Sequence, residues 1–256
     1  MTRDERIQRL IAAIPTLANY RLQLIDKIVG AFAHPKDFRR SATSKLITAG
    51  VLEDFGEVLR MHHCLSREPF SKDKFEYALE RILIEAGVVA SLAPRGQRGF
   101  DIEISTEKFS LKTEAAKAIR ENTIHISKFM ELGGGTWGSN SNDLIGLRQQ
   151  FLTALAGINR ILILRTLKKG DPIFLYELVE IPKALLLKAS GGRLEMMMQS
   201  TQNPKPGYCY IEKDDELLFS LYFDGGGERK LQVKGLQKSL CTVHATWQFE
   251  LPTDTL

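Results

Sequence analysis

Five side chains that can take part in hydrolysis lie within fourteen positions, in a segment whose apolar and polar residues alternate. They are Asp101, Glu103, Ser110, Lys112 and Glu114. Successive side chains of a β-strand point to opposite faces, so the two acids of "FDIEI" share one face and the three polar residues of "FSLKTE" share another. The segment therefore predicts a β-hairpin that collects carboxylates, a hydroxyl and an ammonium on one side.

This combination suits hydrolysis of a phosphodiester, which asks for carboxylates to hold Mg²⁺ and a cation to steady or deprotonate the attacking water. Mg²⁺ needs only one or two protein carboxylates. If residues 105–108 form the turn, Glu103 lies opposite Ser110 and Asp101 lies opposite Lys112. The alternative is a solvated hairpin face on which opposite charges are paired across the strands.

The elements around the hairpin differ between the two halves of the chain. The first ninety residues place Ile and Leu at helical spacing, and "KFEYALERILIEAGV" predicts a helix capped by Ser71 or Asp73 and stopped at Gly87. After the hairpin, "EAAKAIRENTIHISKFMEL" predicts an amphipathic helix over 114–132, and a further helix is expected near 142–158.

From residue 160 onward the apolar period changes from helical spacing to two, which is typical of strands. The predicted strands are "RILILRTL", "PIFLYELVEI", "GYCYI", "LLFSLYF", "RKLQVKGL" and "CTVHATWQFEL", with one short helix at 183–189. The chain therefore reads as α+β, with a helical N-terminal region over 1–70 and a strand-rich C-terminal half.

Composition narrows the function classes without choosing one. The 256 residues carry 35 Lys and Arg against 31 Asp and Glu, a formal charge of +4, which permits a nucleic-acid partner without requiring one. No apolar run is long enough to span a bilayer and the start lacks a signal-peptide pattern, so we expect a cytoplasmic protein without membrane attachment. Cys64, Cys209 and Cys241 lack the spacing of a zinc site or a disulfide framework.

Two other motifs are set aside. "GGGTWG" matches the dinucleotide pattern at Gly133, Gly135 and Gly138, but it follows a predicted helix where the fingerprint follows a strand. The run "MHHC" at 61–64 offers metal-binding side chains, yet adjacent residues cannot all face one ion.

The sequence of the hairpin resembles a known motif. "FD" at 100–101 and "SLK" at 110–112 look like the PD-(D/E)xK signature of restriction-type nucleases, with Ser110 where a second acid is usual. Longer blocks, from about residue 70 to residue 252, resemble the SmaI-type family of Type II restriction endonucleases. They are "LKTEAAK", "IHISKFMELG", "LVEIPKALLL", "NPKPGY", "FSLYFDGGGERKLQVKGL" and "VHATWQFELP".

The resemblance implies a restriction-endonuclease-like core over 71–256, in which a mixed central β-sheet is flanked by helices and carries C-terminal DNA-recognition elements. It implies a homodimer that uses Mg²⁺ to cleave double-stranded DNA at a palindrome, CCCGGG for SmaI-like members, leaving 5′-phosphates. A DNA-binding module that has lost its catalytic site is the alternative, because the usual second acid is missing.

Roles carry over by position. Asp101 matches the metal-binding aspartate and Lys112 the catalytic lysine, while Ser110 leaves the second carboxylate to be supplied from elsewhere. We rank Glu76 first, because "KFEYAL" resembles the helical glutamate of many restriction nucleases, then Glu114, then Glu103.

Candidate DNA contacts lie mainly in "DGGGERKLQVKG", where charged side chains accompany glycines that let the backbone approach a duplex. They are Asp224, Glu228, Arg229, Lys230 and Lys234, joined by Lys205 in a proline-stiffened loop and by Lys117 and Lys128 as phosphate contacts. The alternatives are a glycine turn that leads into an amphipathic strand and, for Lys117 and Lys128, a solvated helical stripe.

Overall fold

Helices and strands are mixed along the chain, as expected of an α+β protein. The computed structural model describes residues 1–94, 96–97, 99–133, 137–170 and 172–252. The α-helices in this part of the chain are α1 Arg3–Ala13, α2 Asn19–Ala33, α3 Ala49–His63, α4 Lys72–Glu85, α5 Asp143–Ala156 and α6 Lys183–Leu187. Short 3₁₀ turns lie at 14–16, 188–191 and 238–240.

The strands form two sheets. They are β1 Lys36–Arg40, β2 Ala90–Leu92, β3 Ile102–Ile104, β4 Glu107–Glu114, β5 Thr123–Glu131, β6 Arg160–Lys169, β7 Ile173–Ile181, β8 Arg193–Met196, β9 Gly207–Lys213, β10 Glu216–Phe223, β11 Lys230–Gln237 and β12 Thr242–Glu250. A seven-stranded sheet has the order β1-β12-β7-β6-β4-β3-β2, and a five-stranded sheet has the order β5-β11-β10-β9-β8. The seven-stranded sheet is mixed, because β4 and β6 pair in parallel while its other pairs are antiparallel.

Both faces of the seven-stranded sheet are covered, as its near-continuous apolar strands require. On one face, Leu162 and Trp247 join Phe55 of α3 and Leu79 of α4 in a single core. On the other face, residues of β6 and β7 pack with α5 and with the five-stranded sheet. This arrangement confirms the predicted mixed central sheet flanked by helices.

The N-terminal region is joined to the sheet by a strand that the sequence pattern did not predict. β1 pairs antiparallel with β12, so Phe38 lies opposite Trp247. β2 and β8 are further short strands that the pattern missed. The division into 1–70 and 71–256 stays a prediction. None of the helices in the described residues combines the length and apolar character needed to cross a membrane.

The predicted helix that begins after Ser71 is confirmed. The Ser71 hydroxyl accepts the Lys74 N–H, and Gly87 ends the helix at a φ of +79°, a left-handed conformation that glycine adopts without steric cost. The other predicted elements from residue 142 onward also form near their expected bounds, as α5, α6, β6, β7 and β9 to β12.

The predicted helix over 114–132 is wrong. Glu114 ends β4, residues 115–122 form a loop, and the "TIHISKFME" run becomes β5. The helix-favouring "EAAKAIR" stretch stays irregular because its carbonyl groups bond to side chains of another strand. The Lys169 ammonium donates to the Ala115 carbonyl, and the Arg165 guanidinium donates to those of Arg120 and Thr123.

Arg165 of β6 is fully buried and forms hydrogen bonds with this loop and with two neighbouring strands. Its Nε donates to Glu114 Oε2 at 2.5 Å and its Nη1 donates to Glu177 of β7. The Thr123 carbonyl accepts from its Nη2 at 2.7 Å. A buried guanidinium is tolerated only when its donors are paired, and these partners connect β4, β6, β7 and the start of β5.

We predict that Arg165→Met lowers the free energy of unfolding by about 3–5 kcal/mol, because Glu114 and Glu177 would stay buried without their main cationic partner. The measurement is urea denaturation. Arg193→Met is the matched control, since Arg193 is exposed and its partner Glu195 is exposed too, and it should leave the unfolding midpoint unchanged. A loss below about 1 kcal/mol for Arg165→Met would contradict the conclusion that Arg165 compensates the buried charges of Glu114 and Glu177.

Candidate active site

The hairpin forms, but with a different register from the predicted one. Ile102 lies opposite Phe109 and Ile104 opposite Glu107, so the turn holds two residues, 105 and 106, rather than four. Ser105 has a φ of 58°, which suits a tight two-residue turn. The shift by two residues leaves every side chain on its predicted face, and it moves Asp101 from beside Lys112 to beside Ser110.

The hairpin's polar face is not solvated. Ser110, Lys112 and Glu114 are all buried, and so are Phe109 and Leu111 on the opposite face of β4. β4 lies inside the seven-stranded sheet, between β3 and β6, which explains why both of its faces are covered. Polar side chains in such a position must be paired.

Asp101 is held by the backbone and side chains of β4. Its Oδ2 accepts the Leu111 N–H at 2.6 Å and the Ser110 hydroxyl at 3.1 Å, and the Lys112 ammonium lies 3.7 Å from the same oxygen. Burial alone would raise the pKa of Asp101. The positive charges of Lys112 and Lys72 and the Leu111 N–H outweigh burial, so its pKa lies below the ordinary value. Asp101 is therefore an ionised carboxylate.

Lys112 points into a largely enclosed site. Its side chain is 10% exposed, and its ammonium lies 5.3 Å from the centre of the Phe129 ring of β5. Burial lowers the pKa of Lys112, and Asp101 only partly offsets that effect. Lys112 is thus a lysine whose charged form is disfavoured beside an aspartate whose charged form is favoured.

Glu76 is brought to the same place by α4. The Lys72 ammonium lies 2.7 Å from Asp101 Oδ1 and 2.7 Å from Glu76 Oε1, so it joins the two carboxylates. Lys72 occupies the first turn of α4 and Glu76 lies one turn later, which places both on the helix face towards Asp101. Burial lowers the pKa of Lys72, but its bonds to Asp101 and Glu76 raise it above the ordinary value overall.

The other two acidic candidates have different surroundings. Glu114 lies two residues beyond Lys112 on the same face, but Arg165 and the His125 N–H engage its two oxygens. Glu103 lies opposite Lys108 and Ser91. No group of three or more His, Cys, Asp or Glu side chains suited to a metal occurs in the described part of the chain. Among the acidic candidates, Asp101 and Glu76 contact one common cation, Lys72.

Sequence reasoning did not select Lys72. A lysine that opens a helix four residues before a glutamate is a frequent surface pair, so the pattern of "KDKFEY" gave no reason to single it out. The feature that could have indicated Lys72 is its position one helical turn before Glu76, which was already a candidate metal ligand.

Most of the predicted DNA contacts gather at one end of the five-stranded sheet. The turn between β10 and β11 contains Asp224, Glu228 and Arg229, and the Lys230 ammonium lies 3.4 Å from Glu228. Asp224 shapes this turn by accepting the Gly226 N–H at 3.0 Å. Arg229 has a φ of 41°, and its carbonyl accepts the Leu132 N–H.

The loop that contains Lys205 touches this turn. A Cβ on Gly225 would lie 2.0 Å from the Pro204 carbonyl oxygen, so only glycine permits the approach. The Lys205 ammonium donates to the Ser200 carbonyl, and its own carbonyl accepts the Trp137 indole N–H at 2.9 Å. The loop before β9 and the turn after β10 are thereby joined into one surface.

The three remaining lysines are separate cases. Lys128 is exposed on β5 and pairs with Glu131 at 2.8 Å. Lys234 lies further along β11, and its ammonium is 3.8 Å from the centre of the Tyr222 ring. Lys117 is exposed in the loop that replaces the predicted helix.

The two motifs set aside also have definite positions. The glycine stretch follows β5, a strand rather than the predicted helix, and α5 begins only at Asp143. Gly135 lies outside the described residues. In "MHHC", the ring of His63 is buried, stacks on Phe174 and hydrogen-bonds the Tyr176 hydroxyl at 2.7 Å. His63 is therefore part of the core.

Comparison with known proteins identifies the family. Residues 10–249 match the family model described as SmaI, Type II site-specific deoxyribonuclease. The chain is 44% identical over 228 residues to the Type II restriction enzyme SmaI of Serratia marcescens, covering 88% of this chain and 90% of that enzyme. No solved structure matches. With Asp101 and Lys112 side by side on a mixed sheet and this match over most of its length, the chain belongs to the SmaI family of Type II site-specific deoxyribonucleases and is a restriction endonuclease.

Proposed function

We propose that this endonuclease hydrolyses double-stranded DNA at CCCGGG with Mg²⁺, leaves 5′-phosphates and acts in the cytoplasm. The observation that carries the proposed chemistry is the 3.7 Å contact between Asp101 Oδ2 and the Lys112 ammonium, with Glu76 reached through Lys72. The target sequence comes from the likeness to SmaI-type enzymes. Digestion of a plasmid that carries one CCCGGG site, with mapping of the cut ends, tests it.

The residues present fit a divalent cation. Asp101 and Glu76 both contact one ammonium, so their oxygens already converge on a single positive charge. Carboxylate oxygens are the ligands that Mg²⁺ prefers, and one or two are sufficient when water and phosphate oxygens complete the shell. Mg²⁺ held there would lower the pKa of a bound water and neutralise charge on the phosphate. We rank Glu76 above Glu114 because Arg165 holds Glu114.

Lys112 is proposed to position the attacking water and to accept its proton. Burial disfavours the ammonium form, which moves this amine towards the range in which a lysine serves as a base. Ser110 is a positioning residue: its hydroxyl donates to Asp101 and fixes the direction of the carboxylate. Attack by water in line with the leaving oxygen would invert the configuration at phosphorus.

We predict that Asp101→Asn and Lys112→Met each reduce cleavage of a CCCGGG plasmid by at least about 10²-fold, because each removes a group proposed to act on the reacting phosphate. Binding of a CCCGGG duplex in Ca²⁺ should persist. Rates come from gel assays with Mg²⁺, and circular dichroism checks that both variants fold.

The matched control is Lys108→Met, which removes an exposed lysine from the same strand. Lys108 lies over the ring of Phe100. In the described residues, the partners of the Asp101 carboxylate are Lys72, Ser110, Leu111 and Lys112. The Lys108→Met protein should cut at the wild-type rate. Near-normal cleavage by Asp101→Asn or Lys112→Met would place the active site elsewhere.

For DNA recognition, we propose that the joined surface of 224–230 and 203–206 contacts the duplex, with Lys128, Lys234 and Lys117 as further contacts. A site of only G·C pairs calls for Arg and Lys at guanine and for acids such as Asp224 and Glu228 at cytosine. Lys205 is suited to a phosphate. The support is the close approach of the two loops at Gly225.

We predict that Arg229→Ala weakens binding to CCCGGG by about 1–3 kcal/mol for each guanine that Arg229 binds, while binding to an unrelated duplex changes less. Lys213→Ala is the control, because Lys213 precedes the β9–β10 turn, at the opposite end of β10. Fluorescence anisotropy with both duplexes measures the two affinities. Equal losses for both duplexes would assign Arg229 to the phosphate backbone instead of the bases.

We also propose a homodimer, because a palindrome matches two copies related by a two-fold axis. The N-terminal helices support it. Within the described chain, none of the α1 residues is buried, and an isolated helix of that length is marginal in water. Helix α2 turns Ile28 to the core but also carries a second apolar stripe, at Ile25, Val29 and Phe32, that is exposed.

The exposed apolar stripe of α2 borders a groove on the protein surface. A groove of about 420 Å³ runs along α2. It is lined by the apolar residues Ile14, Leu22, Ile25 and Val29 and by the polar residues Asn19, Gln23 and Asp26. Helix α1 adds the exposed apolar side chains of Leu10 and Ile11. A second copy of the chain that packs its own α1 and α2 against these helices would cover the exposed apolar stripe of each copy.

We predict that Val29→Glu weakens the dimer by at least about tenfold, because it would bury an unpaired charge. Val89→Glu is the matched control: Val89 is 75% exposed, Val29 is 59% exposed, and Val89 lies outside the helical pair. Sedimentation velocity over a concentration series measures both. A Val29→Glu protein as dimeric as wild type would rule out this face, even if DNA cleavage is intact.

A further inference from the structure

The contacts of Lys72 carry an inference about how the proposed metal site is filled. Its ammonium lies 2.7 Å from Asp101 Oδ1 and 2.7 Å from Glu76 Oε1. The other oxygen of Asp101 is directed differently, towards the Leu111 N–H, Ser110 and Lys112. Asp101 thus presents one oxygen to its own sheet and the other to Lys72.

The two lysines that contact Asp101 differ in freedom. The Lys112 side chain is 10% exposed and lies inside the sheet, whereas the Lys72 side chain is 39% exposed at the start of α4. Solvent screens the charge of a partly exposed lysine, and its long, unbranched side chain can rotate into solvent. Lys72 can therefore leave its partners more readily than Lys112 can.

We propose that Lys72 is an internal cation that occupies the divalent-metal position, so that the metal binds only as the Lys72 ammonium leaves Asp101 Oδ1 and Glu76 Oε1. This inference rests on the proposed metal site. One positive charge between two carboxylates prevents their mutual repulsion and keeps both oxygens aimed at one point. Lys72 thereby preorganises the two ligands and at the same time competes with the ion they are to hold.

The rotated Lys72 would still lie beside the site. Its backbone stays in the first turn of α4, so the released ammonium remains near the two carboxylates. A released ammonium next to a bound metal is suited to a phosphate oxygen of the DNA, which is the anion brought to this position by the reaction. Lys72 thus acts as a positioning residue before the metal binds.

The test is Mn²⁺ binding to the DNA-free protein, measured by calorimetry. Lys72→Met should bind Mn²⁺ about tenfold more tightly than wild type, because the competing cation is gone. Lys74→Met is the matched control. Lys74 lies two residues after Lys72 and is exposed, so the substitution removes the same charge outside the proposed site. It should leave Mn²⁺ affinity close to that of wild type. Lys72→Arg keeps a cation in place and should also bind as weakly as wild type.

Three outcomes distinguish competition by Lys72 from failure of the proposed metal site itself. Tighter binding in Lys72→Met alone supports the competition. If wild type binds Mn²⁺, Asp101→Asn does not, and Lys72→Met binds no more tightly than Lys74→Met, the competition is wrong while the metal site stands. If Asp101→Asn binds Mn²⁺ as wild type does, or if no form binds it, the proposed metal site fails and this inference fails with it.

Discussion

The candidate site depends on the hydrogen bonds that tie Asp101 to β4. The Leu111 N–H and the Ser110 hydroxyl both donate to Oδ2, which fixes a residue just outside β3 against the neighbouring strand. Because side chains alternate along β4, Lys112 must lie on the same face as Ser110 and next to that oxygen. The ammonium then needs no long-range positioning, since the pairing of two adjacent strands brings it within 3.7 Å.

Ser110 explains how the site can depart from the usual pattern. An acid at this position would lie within hydrogen-bonding distance of Asp101, where two carboxylates repel each other unless a cation or proton joins them. The serine hydroxyl donates instead, which favours the ionised form of Asp101. In the proposed metal site, the second carboxylate then comes from another element. We propose Glu76 of α4 for this role, because Lys72 contacts both Glu76 and Asp101.

The sequence predicted the parts of the fold that rest on local patterns. The start and end of α4 followed from Ser71 and Gly87, and the strands after residue 160 followed from their apolar period. The two wrong predictions depended on information that is not local. The stretch 114–132 has the composition of a helix, but Arg165 of β6 binds the carbonyls of Arg120, 45 residues earlier, and of Thr123, 42 residues earlier. The hairpin register depended on whether Ser105 takes a positive φ, which composition does not settle.

The candidate site was partly predictable because two of its residues lie close together in the sequence. Asp101 and Lys112 belong to one hairpin, and a register error of two residues preserves the face of every side chain, so their nearness survived the wrong turn. Lys72 could not be found in this way, because its importance comes from the docking of α4 beside the hairpin. Nor could the hairpin alone decide between a solvated and a buried polar face, since Phe129 of β5 reaches Lys112 from a separate sheet. A polar strand inside a sheet has to pair every charge, and here that requirement arranges the same groups that phosphodiester hydrolysis needs.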